Sequence, residues 1–119
     1  DAAMSEKKVV NAVRTTLSRG DVRLFRNNCG ALQAKGGEWV TYGLCVGSSD
    51  LIGWRSLEVT PEMVGTKVAL FVALEGKSPG KNATAEQSNF IALVQKHGGL
   101  AGMFRSVEEA ADIIQGYER

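Results

Sequence analysis

The sequence predicts a compact α/β domain, a central mixed sheet flanked by helices. Three observations predict it. Apolar residues recur at helical spacing near both ends of the chain, an unbroken apolar run lies between them, and a glycine turn joins two short segments upstream of that run. The chain has 119 residues, 44% hydrophobic and 23% charged, an ordinary globular composition with room for one domain, residues 1–119. Folding should hide roughly two-thirds of the unfolded surface, enough for one core.

The elements follow in order. Val9, Val10, Val13 and Leu17 share a face, so residues from about Ser5 to Ser18 form an amphipathic helix, ended by Arg19-Gly20-Asp21. Val22 to Arg26 alternates and suggests a strand. Ala31 to Ala34 and Glu38 to Tyr42 flank Lys35-Gly36-Gly37, the pattern of a hairpin. Gly43, Gly47, Ser48 and Ser49 mark a loop or irregular strand. Leu57 to Val59 suggests a further short strand. Val68 to Leu74 is apolar on both faces, as a central strand covered on both sides must be. Lys77-Ser78-Pro79-Gly80 breaks the chain. Thr84 to Lys96 then reads as a helix with Thr84 and Gln87 as a capping box, closed by Gly98-Gly99. Leu100 to Phe104 is a strand, and Ser106 with Glu109 opens a last helix whose apolar face is Val107, Ala110, Ala111 and Ile114.

Composition excludes several classes. Lys plus Arg is 14 and Asp plus Glu is 13, a net charge of +1, so bulk charge does not argue for nucleic-acid binding and any such site must be a local patch. No apolar run approaches the ~20 residues of a membrane helix. Asp1-Ala2-Ala3 before Met4 reads as an appended tag remnant, and no secretory leader opens the chain. Cys29 and Cys45 have no motif spacing, and His97 is the one histidine, too few ligands for a structural zinc site. Two buried free thiols and a cytoplasmic location are expected.

The chemistry gathers at the end of the apolar run. In Glu75-Gly76-Lys77 the alternation of a strand points Glu75 and Lys77 to one side and Gly76 to the other. In an arbitrary protein that pair reads as a cross-face ion pair capping a strand. Asp50, in a glycine-flanked segment, reads either as a turn residue or as a second carboxylate. Hard divalent cations take oxygen ligands, and Asp50, Glu75 and a main-chain carbonyl can supply them. Glu6 and Gln87 each stand on an apolar helical stripe, where a polar group is costly without a partner. Glu6 is equally explained as a first-turn carboxylate, and Gln87 by its capping box.

Asp50 followed by Glu75-x-Lys77 resembles the PD-(D/E)xK nuclease superfamily. Further stretches make the likeness more specific: Leu24-Phe25-Arg26-Asn27-Asn28-Cys29-Gly30, Ser49-Asp50-Leu51-Ile52-Gly53, Val72-Ala73-Leu74-Glu75-Gly76-Lys77-Ser78-Pro79-Gly80, Thr84-Ala85-Glu86-Gln87 with Phe90, and Gly98-Gly99 through Ala110. In this order they resemble the virus-type replication-repair nuclease (VRR-NUC) domain from about Ser5 to Ile114. The resemblance implies a restriction-endonuclease-like fold and a Mg²⁺- or Mn²⁺-dependent DNA endonuclease. Asp50 and Glu75 match its metal-binding carboxylates and Gly76 its main-chain carbonyl ligand. Lys77 matches the lysine that activates water, Gln87 the glutamine of the following helix, and Glu6 the acidic residue of the first helix. It further implies a homodimer cutting four-way (Holliday) junctions, in a bacterial or phage-encoded setting. Two positions depart from the pattern: Ser49 replaces proline, and Gly76 stands where a β-branched residue is usual.

For DNA contacts, Arg26, Asn27, Asn28 and Lys81 are the expected residues, with Arg14, Arg19, Arg23, Lys35 and Lys96 as further cations. Trp54 reads as a partly buried core residue, and Trp39 and Trp54 as contributors to a dimer interface. The competing readings are a non-catalytic DNA-binding scaffold with the nuclease fold, hinted at by Gly76, and a flap or single-strand nuclease, which a strict monomer would favour.

Overall fold

A computed structural model describes residues 5–116, so the tag-remnant reading of Asp1-Ala2-Ala3 lies outside the described residues. The chain divides into two compact units, one reaching Leu57 and one beginning at Glu58.

The first unit opens with α1 (Glu6–Leu17), matching the helical spacing of its valines. The Ser5 side chain caps it by accepting from the Lys8 N–H at 3.3 Å, and Glu6 sits in the first turn. Ser18 ends it and bonds the next strand, its hydroxyl accepting from the Leu24 N–H at 2.8 Å. Strand β1 (Val22–Arg26) follows, then the hairpin β2 (Gly30–Gln33) and β3 (Trp39–Tyr42) around the expected glycine turn. Strand β4 (Leu51–Arg55) pairs antiparallel with β1, from Val22 opposite Arg55 to Arg26 opposite Leu51. The sequence pattern marks the start of β4 only as apolar residues after a loop, because Gly53 and Trp54 interrupt any alternation. Phe25 and Trp54 stack at 5.5 Å between ring centres, which gives Trp54 its partly buried place.

Where the two units meet in the chain, the strand expected over Leu57 to Val59 is irregular backbone, followed by a single 3-10 turn at Pro61–Met63. A proline at the start of that turn favours it over an extended ladder. Strand β5 is Val72–Gly76, later than the expected Val68 to Leu74. Its parallel partner β6 (Leu100–Phe104) decides this. The Gly98-Gly99 turn delays β6 until Leu100, which lies opposite Val72, so the backbone before Phe71 has no ladder partner there. Val68, Leu70 and Val72 are correspondingly half-exposed, not covered on both faces. Between the two strands runs α2 (Ala85–Lys96), the crossover that a parallel pair requires. Its Thr84–Gln87 capping box forms in full. The last helix, α3 (Val107–Ile114), is capped by Ser106, which accepts from the Glu109 N–H at 3.1 Å. The reciprocal bond expected from Glu109 goes one residue earlier, from the Arg105 N–H at 2.6 Å.

The α/β class is present, with both antiparallel and parallel pairing. Among the described residues the strands pair as three two-stranded sheets, β1 with β4, β2 with β3 and β5 with β6. Among the described residues, Val94 and Ala101 are the buried apolar side chains. Both cysteines are free, but Cys29 is only half-buried and Cys45 is exposed, because the turn from Gly43 to Ser48 lies at the surface.

Candidate active site

The chemistry of the second unit begins where β5 leaves its ladder. The register puts Gly76 opposite Phe104, and the Lys77 N–H donates to the Phe104 carbonyl at 3.0 Å. The backbone is thus extended through the Glu75-Gly76-Lys77 triplet, which sends Glu75 and Lys77 to the same side. The Lys77 ammonium lies 4.0 Å from Glu75 Oε2, and the lysine side chain is the more covered, 18% exposed against 34% for the glutamate. The carboxylate compensates for the partial loss of water around the ammonium.

Gln87 completes this group. Its Oε1 accepts from the Thr84 N–H at 2.9 Å, and its Nε2 donates to Glu75 Oε2 at 3.1 Å. The Thr84 hydroxyl accepts from the Gln87 N–H at 3.1 Å. The capping role and the site role are therefore one arrangement, with one end of the amide closing the helix and the other gripping the carboxylate. Ala73, Leu74, Phe90 and Ile91 join Glu75 and Gln87 around a cavity of about 370 Å³. The Glu75 carboxylate and the Gln87 amide thus border an apolar hollow that Glu86 also lines, with the Lys77 ammonium 4.0 Å from the Glu75 carboxylate.

In the first unit, Glu6, Asn11, Arg26, Asn28 and Asp50 line a cavity of about 660 Å³. The Arg26 guanidinium donates to Asn11 Oδ1, which fixes the cation on α1. The Glu6 and Asp50 carboxylates form no ion pair with a basic side chain among the described residues. Asn27 has a different place. Its Nδ2 donates to Ser48 Oγ at 2.6 Å and to the Ser49 carbonyl at 3.0 Å, while its Oδ1 accepts from the Leu44 N–H at 2.8 Å. Its main-chain N–H donates to the Asp50 carbonyl at 2.9 Å. Asn27 thus ties down the segment that presents Asp50, and its amide is already engaged by the chain itself. Lys81 is exposed on the loop after β5, and Arg105 holds that loop by donating to the Lys81 carbonyl and to Asn82 Oδ1.

Sequence reasoning missed two residues here. Asn11 is a lone polar residue among the valines of α1, a weak signal. Ser48 sits in a run of small residues and carries none. Its hydroxyl meets Cys29 Sγ at 3.0 Å and donates to the Cys45 carbonyl at 2.7 Å. The Ser48 hydroxyl, helped by the Cys45 and Leu44 main-chain N–H groups, holds the Cys29 thiol below the ordinary thiol range, against the opposing effect of burial.

No group of three or more His, Cys, Asp or Glu side chains converges among the described residues. The donors at hand in each unit are carboxylate and carbonyl oxygens, chemistry suited to a hard divalent cation and unsuited to zinc or copper. Glu75 fits this use, since Gln87 and Lys77 both engage Oε2.

The VRR-NUC domain model matches residues 7–108, so the match runs through both units and takes in every residue of both groups except Glu6. The chain belongs to the VRR-NUC family and is a nuclease-family domain, with DNA the implied substrate. Neither a curated protein nor a solved structure matches it at a significant level. Among the described residues, no helix is long and apolar enough to cross a membrane.

Proposed function

We propose that this chain is a metal-dependent, structure-selective DNA endonuclease that cuts four-way junctions as a homodimer. The observation that carries the reading is the Gln87–Glu75–Lys77 group at the end of β5, in a chain of this nuclease family. The oxygen donors of each unit, Glu75 and the Gly76 carbonyl in one and Asp50 and Glu6 in the other, are of the kind that Mg²⁺ or Mn²⁺ takes as ligands. A bound cation would supply polarisation of a phosphoryl oxygen and acidification of water.

The remaining work falls to the chain. Lys77 is a point charge with three donors, able to orient an attacking water and to offset negative charge that develops on the phosphate. Glu75 keeps that ammonium in place. Gln87 fixes the Glu75 rotamer, so the carboxylate does not have to be ordered when substrate arrives. Arg26, Asn28 and Lys81 contact DNA phosphates, which brings affinity without base preference. Asn27 acts by positioning the Asp50 segment.

The test is cleavage of labelled four-way junction, duplex and flap DNA with Mg²⁺ or Mn²⁺, beside a Glu75→Ala control. Cutting that needs the metal, prefers the junction and disappears in the variant is the expected result. No cutting of any substrate by folded protein overturns the reading. Light scattering at working concentration tests the homodimer, and a strict monomer would redirect the substrate assignment to flaps or single strands.

A further inference from the structure

Gly76 departs from its family's pattern, and the neighbouring strand shows what replaces the missing side chain. The φ of Gly76 is not positive, so the backbone conformation does not demand glycine. Space does. A Cβ at position 76 would stand 3.0 Å from Phe104 Cζ and 3.4 Å from Cε2. Phe104 is the register partner of Gly76 across the parallel ladder, so its ring lies on the sheet face opposite Glu75 and Lys77. Its carbonyl also accepts the Lys77 N–H at 3.0 Å.

Building on the nuclease reading above, we infer that Phe104 is a positioning residue of the active site. Its ring fills the volume of the absent side chain and holds the Glu75–Lys77 backbone from behind. A glycine in a strand interior loses side-chain packing and gains backbone freedom. An aromatic ring laid over it from the next strand restores both packing and stiffness. The restraint matters here because the Gly76 carbonyl is a proposed metal ligand and its two neighbours carry the carboxylate and the ammonium. Arg105, the next residue along, pins the following loop through the Lys81 carbonyl and Asn82, so the end of β6 shapes both the triplet and its exit. Phe104 touches neither substrate nor metal in this scheme and acts through the backbone of Gly76.

The experiment is a double-mutant cycle in the full chain with Gly76→Val, Phe104→Ala and the double variant. Three quantities are read: the thermal midpoint, Mn²⁺ affinity by electron paramagnetic resonance, and kcat with KM on the cleaved DNA. Each single change is expected to lower kcat about tenfold or more and to weaken Mn²⁺ binding, with KM within about threefold of wild type. The double variant, with the valine in the space of the ring, is expected to return to within about threefold in kcat. Gly76→Ala with Phe104→Leu makes a milder cycle should Gly76→Val not fold. Single effects that simply multiply in the double variant overturn the inference. So does a Phe104 variant that melts lower yet keeps wild-type kcat and Mn²⁺ affinity, since its role is then only structural. Wild-type protein that neither cuts DNA nor binds Mn²⁺ overturns the proposed function and this inference with it. Cutting with an additive cycle overturns this inference alone.

Discussion

Gln87 does two jobs with one amide, and substitution separates them. Gln87→Ala removes the acceptor for the Thr84 N–H and the donor to Glu75 Oε2. The capping bond is worth about 0.5–1 kcal/mol and the partly exposed bond to a carboxylate about 1 kcal/mol, so a loss of ~1.5–2 kcal/mol is expected. At ~2.1 cal/mol/K per residue of unfolding entropy, that lowers Tm by about 6–8 °C. Gln87→Glu keeps an acceptor for the Thr84 N–H, as glutamate does in many capping boxes. It replaces the donor with a second carboxylate beside Glu75. The cost is a half-exposed bond and a screened repulsion, about 0.5–1 kcal/mol or ~2–4 °C, and it shrinks with added salt. Both variants free the Glu75 rotamer, so both should slow metal-dependent cleavage by about tenfold or more. The assays are thermal melts of metal-free protein at low and high salt, and single-turnover cleavage. Equal Tm losses in the two variants would refute the capping argument. Wild-type cleavage by Gln87→Glu would refute the role of the Glu75 bond.

Further expectations concern the first unit and the substrate grip. Asn27→Ala leaves three chain partners without their amide and should destabilise by about 2–3 kcal/mol, with cleavage lost through the Asp50 segment; a Tm within about 2 °C of wild type would contradict that role. Cys29 should be alkylated with a pH midpoint below that of an ordinary thiol, because its lowered pKa raises the thiolate fraction at a given pH. Ser48→Ala should move the midpoint upward, and site-resolved mass spectrometry that finds no shift would remove Ser48 as the cause. Lys81→Ala should weaken binding of every DNA sequence alike and reduce the slope of log affinity against log salt by about 1, as an isothermal titration series can measure. With a net charge of only +1, metal-free protein should bind DNA weakly and tighten with Ca²⁺; an affinity indifferent to divalent metal would contradict this.

Elements set by local rules were legible in the chain itself. The valine spacing of α1, the Thr84–Gln87 box of α2, the glycine turn of the hairpin and the extent of β6 each depend on residues within a few positions of one another. The ordered likeness from Asp50 through Glu75 and Lys77 to Gln87 also lies in the linear sequence, and it named the family that the domain model matches. Elements set by pairing were less legible. The apolar run suggests a strand from Val68, yet hydrogen bonds to a strand that begins at Leu100 place β5 at Val72. Strand β4 has little alternation to announce it and exists because β1 lies alongside.

The helices, and the common side to which Glu75 and Lys77 point, were readable from the residues alone, because periodicity and capping are properties of neighbouring residues. Only the tertiary structure decided that one glutamine amide serves both a helix cap and a carboxylate, since that bond joins residues on different elements. Likewise it decided that Asn27 is occupied in bracing the Asp50 segment and that the Phe104 ring occupies the space over Gly76. Each of these depends on which groups meet across a turn or ladder, and the free energy of such a contact depends on distance and direction that sequence spacing does not carry.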